Sequence, residues 1–416
     1  MKKIAAVLGV AYLILFYSAI AIAGNTEKEI SLSDLDDKSV NLQNLNPMRL
    51  PGKTYDDRAL QTQIRGYAVG SYRFNDRGVG EGAGNDLHFG ADAPETKDFA
   101  LNVVEVAFSK RFSDYAWVIA AIDVAQENEA GETKTEASVD VGQISLMAPV
   151  GNGIIFSLGK FNSPVSFEQE DAPLLLQSSH SLAFQFGSPE KMTGLQVFYP
   201  LAINLDVRAI VFNGWNQDGD NNDSKSLAFQ VGYAPKSWFN AKFSYLWGAE
   251  QKGNDGDTRQ VYNIGATLTP WRDFIFGWEL SYGRDENLSV THPGTDAEWR
   301  SGQATLHYDF GKTFGTTLRY SFFDDRDGRP DIEDAQSRTM NEISIAPTIH
   351  FFPVGLGYLG WGAIPWTQHM LSGLDLRLEY RHDWVNENSE EGFFEDDRGN
   401  RSSTRNMFIA ELVAMF

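Results

Sequence analysis

The chain has no cysteine among its 416 residues, so disulfides, thiolate metal sites and thiol nucleophiles are excluded. Beyond residue 24, no stretch reaches the ~18 apolar residues that a membrane-spanning helix needs. Positive charge is scarce: 35 Lys and Arg face 56 Asp and Glu, a formal net charge of −21. That balance argues against binding nucleic acid or anionic lipid through bulk charge. No Pro/Ser-rich linker interrupts residues 64–416, although the length alone suggests two or three domains. With 38 glycines, 13% aromatics and many short alternating segments, the chain reads instead as one large all-β unit. A hydrophobic share of 42% is slightly low for a dry core of that size and fits a polar interior.

The N-terminus carries a strong local signal. Lys2 and Lys3 precede the apolar run Ile4 to Ile22, and Ala21-Ile22-Ala23 is a small-x-small cleavage pattern. This order of regions predicts a cleaved secretory signal peptide over 1–23; an uncleaved anchor helix is the alternative. Residues 24–63 are polar and leucine-spaced and read as a periplasmic lead-in. An exported chain without cysteine or membrane helices is periplasmic, secreted or an outer-membrane barrel.

The stretch "LDLRLEYRHDW", 374–384, helps decide between them. As a strand it sets Leu374, Leu376, Leu378 and Tyr380 on one face and Asp375, Arg377, Glu379, Arg381 and Asp383 on the other. If the leucine face meets lipid, the charged face lines a watery lumen. A one-residue slip would push Arg377 and Arg381 toward hydrocarbon, at ~2–4 kcal/mol each near the midplane. A soluble sandwich, the rival arrangement, would have to bury its aromatic faces against a second sheet.

Sixteen strands are predicted, near 64–74, 98–111, 115–125, 134–147, 153–161, 194–200, 203–213, 226–234, 238–248, 259–269, 273–284, 299–310, 313–323, 337–351, 373–384 and 404–416. Odd-numbered strands precede long polar segments such as 75–97, 162–193, 285–298 and 385–403; even-numbered strands mostly precede tight turns. An up-and-down transmembrane β-barrel with short periplasmic turns has this beat. Residues 352–372 break it, so fourteen or eighteen strands stay open. Aromatics near strand ends (Trp117, Trp215, Tyr233, Trp238, Trp247, Trp271, Trp299, Phe310, Phe314 and Trp384) are expected to form belts at the two lipid–water interfaces. Phe416 closes an alternating strand, the pattern of a barrel-assembly signal.

Residues 160–215 resemble the OmpL-like β-barrel porins, the second porin family of that description. The segments are "KFNSPVSFEQEDAP", "SLAFQFGSPEKMTGLQVFYP" and "VFNGWNQDGDNND", and "RLEYRHD" at 377–383 is similar to a weaker family segment. Matching positions include Pro164, Phe184, Phe186, Pro189, Gly194, Asn213, Gly214 and Trp215. The resemblance implies a pore-forming outer-membrane protein of the Gram-negative type and names no substrate.

In sixteen-stranded porins, the loop at the place of 162–193 folds into the lumen. Here it carries Glu168, Glu170, Asp171, Leu174-Leu175-Leu176 and His180. The expectation is that the leucines hold the inner wall while the carboxylates face the opening, favouring cations; a solvated external loop is the alternative. Inward basic candidates are Arg65, Arg73, Arg111, Arg208, Lys242, Arg319, Arg377 and Arg381. Inward acids are Glu105, Asp123, Asp206, Glu279, Glu342, Asp375, Glu379, Asp383 and Glu411. The near balance predicts little ion preference from the wall, with many charges pairing across strands.

No cofactor, metal site or catalytic residue is read. "NQDGDNND", 216–223, imitates the start of a calcium loop but lacks its glycine and glutamate, so turn chemistry explains it better. Ser179, His180 and Asp171 are near in sequence but carry no nucleophile motif. The expected partners are small hydrophilic solutes, outer-membrane lipid and lipopolysaccharide, the barrel-assembly machinery and further copies of the chain. A non-conducting structural or surface-binding barrel is the rival function.

Overall fold

The computed structural model describes residues 62–79, 97–129, 132–271, 273–311, 313–329, 337–351, 373–387, 393–396 and 398–416. The first half of the barrel comprises β1 (Gln63–Asn75), β2 (Lys97–Ser113), β3 (Ala116–Glu129), β4 (Glu132–Ala148), β5 (Ile154–Asn162), β6 (Lys191–Ala202), β7 (Leu205–Phe212) and β8 (Ser226–Lys236). The second comprises β9 (Phe239–Ala249), β10 (Thr258–Leu268), β11 (Phe274–Asp285), β12 (Ala297–Asp309), β13 (Phe314–Asp325), β14 (Arg338–His350), β15 (Gly373–Glu387) and β16 (Thr404–Met415). Each strand pairs antiparallel with its sequence neighbours, and β16 closes on β1 from Tyr67↔Met415 to Asn75↔Met407. Closure leaves no barrel edge with unpaired backbone groups, a condition for spanning lipid.

All sixteen predicted strands are present. Residues 352–372 lie outside the described residues, but the flanking strands β14 and β15 pair directly from Arg338↔Glu387 to His350↔Asp375. The barrel therefore closes at sixteen, and fourteen and eighteen are excluded. The predicted signal peptide and most of the lead-in, residues 1–61, also lie outside the description.

The alternation in β15 is realised as read: Asp375, Arg377, Glu379, Arg381 and Asp383 are buried inside, while Tyr380 is exposed outside. The same parity exposes Phe408 and Leu412 and buries Met407, Ile409 and Glu411 in β16. Phe416 exchanges two backbone hydrogen bonds with Gly66, each 2.9 Å, and so pins the closing seam.

Three expectations are corrected. The beat of long and short connections fails after β3, which ends at Glu129, three positions before β4 begins at Glu132, and the two ends pair directly. These two strands extend their ladder instead of ending in a loop. Trp117 and Trp299 do not join the outer belts: they point inward, 6% and 0% exposed, because they share strand faces with Ile119 and Ser301. Trp215 likewise packs on the inner cluster. Strand parity, not nearness to a strand end, decides where a ring points. Trp238, Trp247, Trp271, Phe310 and Phe314 do face outward, each at least 41% exposed.

The interior is also less uniformly polar than expected. At the long-loop end, Phe161, Phe212, Trp299, Phe323, Met340, Val385 and Phe394 form one apolar cluster, and at the short-turn end Trp117, Ile119, Met147, Ile155 and Phe198 form another. Charged groups occupy the level between them, where the segment joining β5 to β6 lies.

Candidate functional site: the inner loop and the charged wall

The segment 163–190 enters the barrel and carries a one-turn 3-10 helix, Ala172–Leu174, and a short α-helix, α1, Leu182–Gly187. Ser181 caps α1, its Oγ accepting from the Phe184 amide at 3.0 Å. Wall groups bind the loop along its length. The Pro164 carbonyl accepts from Gln230 of β8 (2.7 Å) and Lys242 of β9 (3.0 Å). Glu279 of β11 accepts from Ser166 Oγ and the Phe167 amide, at 2.8 and 2.9 Å. Arg377 of β15 donates to the Ala172 carbonyl at 2.8 Å, and Gln177 donates to Ser344 of β14 at 2.8 Å. Glu379 of β15 accepts from the amides of Ser178 and Ser179, both at 2.8 Å. Because these partners sit at mid-strand on inward faces around the circumference, the loop crosses the lumen at mid-height.

Gly277 allows part of this approach. A Cβ there would stand 2.1 Å from the Phe167 ring. Gly277→Val is expected to displace Phe167 and destabilise the fold by about 1–3 kcal/mol; an unchanged denaturation midpoint in detergent micelles would refute the close fit.

The predicted constriction residues are together, but not as expected. Glu168, Glu170 and Asp171 each hold a partner from the wall. Glu168 pairs with Arg319 at 2.7 Å and accepts from the Ser181 amide at 2.8 Å. Glu170 pairs with Lys191 at 2.6 Å, and Asp171 accepts from Asn162 at 3.2 Å. A carboxylate leaving water needs compensating donors, and the wall supplies them. His180 stacks on Phe184 (4.4 Å) with its Nε2 3.0 Å from the Gln169 carbonyl, while the Ser179 hydroxyl donates to Glu379. Of the three leucines, Leu175 is the buried one.

On β13 to β16 the inward charges form a continuous network. Arg319 meets Glu342 (2.6 Å), Arg381 meets Glu342 (3.4 Å) and Asp383 (2.7 Å), and Arg405 meets Asp383 (2.7 Å). Arg377 meets Glu411 at 3.2 Å, and Asp375 meets His350 at 2.8 Å. His350 and His307 flank Asp309 near the short-turn end, at 3.5 and 3.1 Å. Elsewhere on the wall, Arg73, Asp206 and Arg208 are buried and Arg65 is half-buried, with Arg208 over the Phe198 ring at 5.6 Å. Arg111 lies at the rim, bound to the Ser113 carbonyl (3.1 Å) and near Asp114 (3.5 Å), so it belongs to the turn more than to the lumen.

The opposite wall is acidic. Glu105 of β2, Asp140 of β4 and Asp171 of the loop place carboxylate oxygens within 4.8 Å of one another. At that spacing two like charges repel by roughly 3 kcal/mol at an effective dielectric of 20. Lys191 of β6 answers part of this, binding Asp140, Glu170 and Asn162 (2.7 Å). Sequence reading missed Asp140 and Lys191. Asp140 sits where the β3–β4 register shifts, beside Ala121/Ile122, which breaks the period of two, and Lys191 precedes the predicted strand.

The family model described as Putative beta-barrel porin-2, OmpL-like, matches residues 61–416. The chain belongs to this family. It is an outer-membrane porin, a water-filled barrel for passive diffusion of small hydrophilic solutes. No match is found among curated protein sequences. Solved barrels are similar in fold. They include the outer membrane channel DcaP of Acinetobacter baumannii, with TM-score 0.57 and 12% identity over 86% of this chain and 97% of that one. Salmonella typhi OmpF in complex with Daunomycin has TM-score 0.56 and 11% identity, covering 87% and 99%. The anion-selective porin from Comamonas acidovorans has TM-score 0.55 and 9% identity, covering 86% and 99%.

The motif positions of the porin gather where the loop leaves and re-enters the wall. Gly194 faces the neighbouring strand so closely that a Cβ would lie 2.0 Å from the Val211 carbonyl oxygen. The Phe186 carbonyl accepts from Arg329 at 3.0 Å, and Pro189 is buried at the loop's return. Asn213 donates to the Asp218 carbonyl at 2.7 Å, and Gly214 takes a φ of +144°. These turn Trp215 inward, edge-on to Trp299 at 6.3 Å and under Arg259 at 4.9 Å. In the porin Trp215 and Phe186 pack against the buried rings of the inner cluster.

Proposed function

We propose that the segment 163–190 is the filter of this porin and sets its size limit and a mild preference for cations. The observation that carries this reading is the wall-to-wall attachment of that segment, with Glu170, Asp171, Glu105, Asp123 and Asp140 gathered on one side. An acidic surface beside a narrow aqueous path lowers the energy of passing cations. At the outer rim, hydrogen bonds from Arg284 hold the Asp296 carboxyl below the usual carboxylate range, and the pair is neutral as a whole, so the preference rests on the inner acids. Reversal potentials in a KCl gradient test the preference, with a cation-positive offset expected and an anion-positive offset overturning it.

The porin performs no chemistry on its solutes in this reading; hydrolysis abolished by His180→Ala would contradict it. Residues 1–23 act as a cleaved signal peptide and 24–63 as a periplasmic lead-in. Phe416 is read by the barrel-assembly machinery, the acidic outer loops present a solvated surface among the lipopolysaccharide, and further copies of the chain associate with the barrel. The apolar clusters at both ends of the interior favour one rival, a closed structural barrel. Discrete ohmic steps in a planar bilayer are expected of the pore, and silence from folded protein of the rival.

A further inference from the structure

The carboxylates of Glu105, Asp140 and Asp171 come from β2, β4 and the inner loop, yet their oxygens lie within 4.8 Å of one another. A Ca²⁺ ion binds oxygens at 2.3–2.6 Å, so two ligands on one ion stand no more than about 5 Å apart. The observed spacing is short enough for all three to share one ion.

A second observation points the same way. Asp140 is 5% exposed, and while one of its oxygens takes the Lys191 ammonium, its Oδ2 is sealed from solvent without a hydrogen-bond donor. Asp123, paired with Glu105 across the β2–β3 ladder, has a similarly donorless Oδ1. Buried carboxylate oxygens normally find donors, and one facing other carboxylates is suited to a cation. Carboxylates outnumber the cation here: Lys191 is bonded to Asp140 and Glu170, while Glu105, Asp123 and Asp171 lie beside them. The donor set is all oxygen, which selects a hard cation over a soft one.

We propose that Glu105, Asp140 and Asp171 form a binding site for a hard divalent cation, with Ca²⁺ as the favoured ion, that ties the inner loop to the β2–β4 wall. The proposal goes beyond solute diffusion, and its test needs no ion flow, so it can fail while the filter reading stands.

The test is calorimetric titration of Ca²⁺ into the full mature chain, refolded free of lipopolysaccharide and stripped with EDTA. One saturable site per chain is expected. Glu105→Gln and Asp171→Asn should each weaken it about tenfold or more, since each removes a ligand charge, whereas Asp220→Asn in an outer loop should leave it unchanged. Tb³⁺ should bind the same site and luminesce on excitation of Tyr67, which lies opposite Glu105 in the β1–β2 ladder. No saturable Ca²⁺ binding to folded wild type overturns the proposal, as does equal affinity in all variants. Because the wild-type titration alone decides the first outcome, a variant that fails to fold does not rescue it.

Discussion

Replacing Arg319 with Met is expected to lower the unfolding free energy of the porin by about 3–5 kcal/mol, the cost of breaking a buried ion pair from one side. The guanidinium is fully buried and bonded at once to Glu342 (2.6 Å), Glu168 (2.7 Å), the Ser179 carbonyl (2.6 Å) and the Ser179 hydroxyl (2.9 Å). Its loss leaves Glu342 with Arg381 at 3.4 Å and takes the cation from Glu168. Most of the penalty comes from carboxylates left without charge compensation. Adding Glu168→Gln and Glu342→Gln to the Met variant should therefore recover part of the loss. Denaturant unfolding in detergent, followed by tryptophan fluorescence, measures both variants. A midpoint that does not move for Arg319→Met would mean that this network does not hold the loop.

Glu379→Ala should act on transport more than on the barrel. Glu379 holds the Ser178 and Ser179 amides (both 2.8 Å), the Ser179 hydroxyl and the Gln177 side chain (3.1 Å). A buried N–H left without an acceptor costs about 1–3 kcal/mol. Two such groups give the loop reason to leave the wall and find water, while the ladder hydrogen bonds of β15 remain intact. The expected result is a larger single-channel conductance and passage of larger sugars in a size series, with far-UV circular dichroism unchanged. Identical conductance and an identical exclusion limit would remove the loop from its role as filter. Arg319→Met should show the same direction of change in conductance, since it releases the same loop from β13, two strands away in the wall.

Part of this site was legible from residue order and part was not. The wall residues Glu279, Arg319, Arg377, Glu379 and Arg381 follow from alternation alone, because an inward face is every second residue of a strand whose other face must meet lipid. Asp140 escaped that rule at a β-bulge, where one extra residue resets the alternation. Trp299 escaped because its position near a strand end suggested a lipid interface, whereas its parity with Ser301 and Gln303 already placed it inside. The loop carboxylates were recognised as a group, but their partners were not. Nothing near Glu168 in sequence announces Arg319, 151 residues away.

Residue order alone settled the facing of the strands and their antiparallel sequence-neighbour topology, because both depend on short-range signals: a period of two, turn residues and the cost of a charge in lipid; the closure at sixteen needed the direct pairing of β14 with β15. Where the inner segment docks, which charges neutralise one another and how five carboxylates come to share one wall were decided only in three dimensions. The contacts of the inner segment with β11, β13 and β15 join residues more than a hundred positions apart, and a bond across a closed barrel depends on distance in space, which no local pattern of side chains encodes.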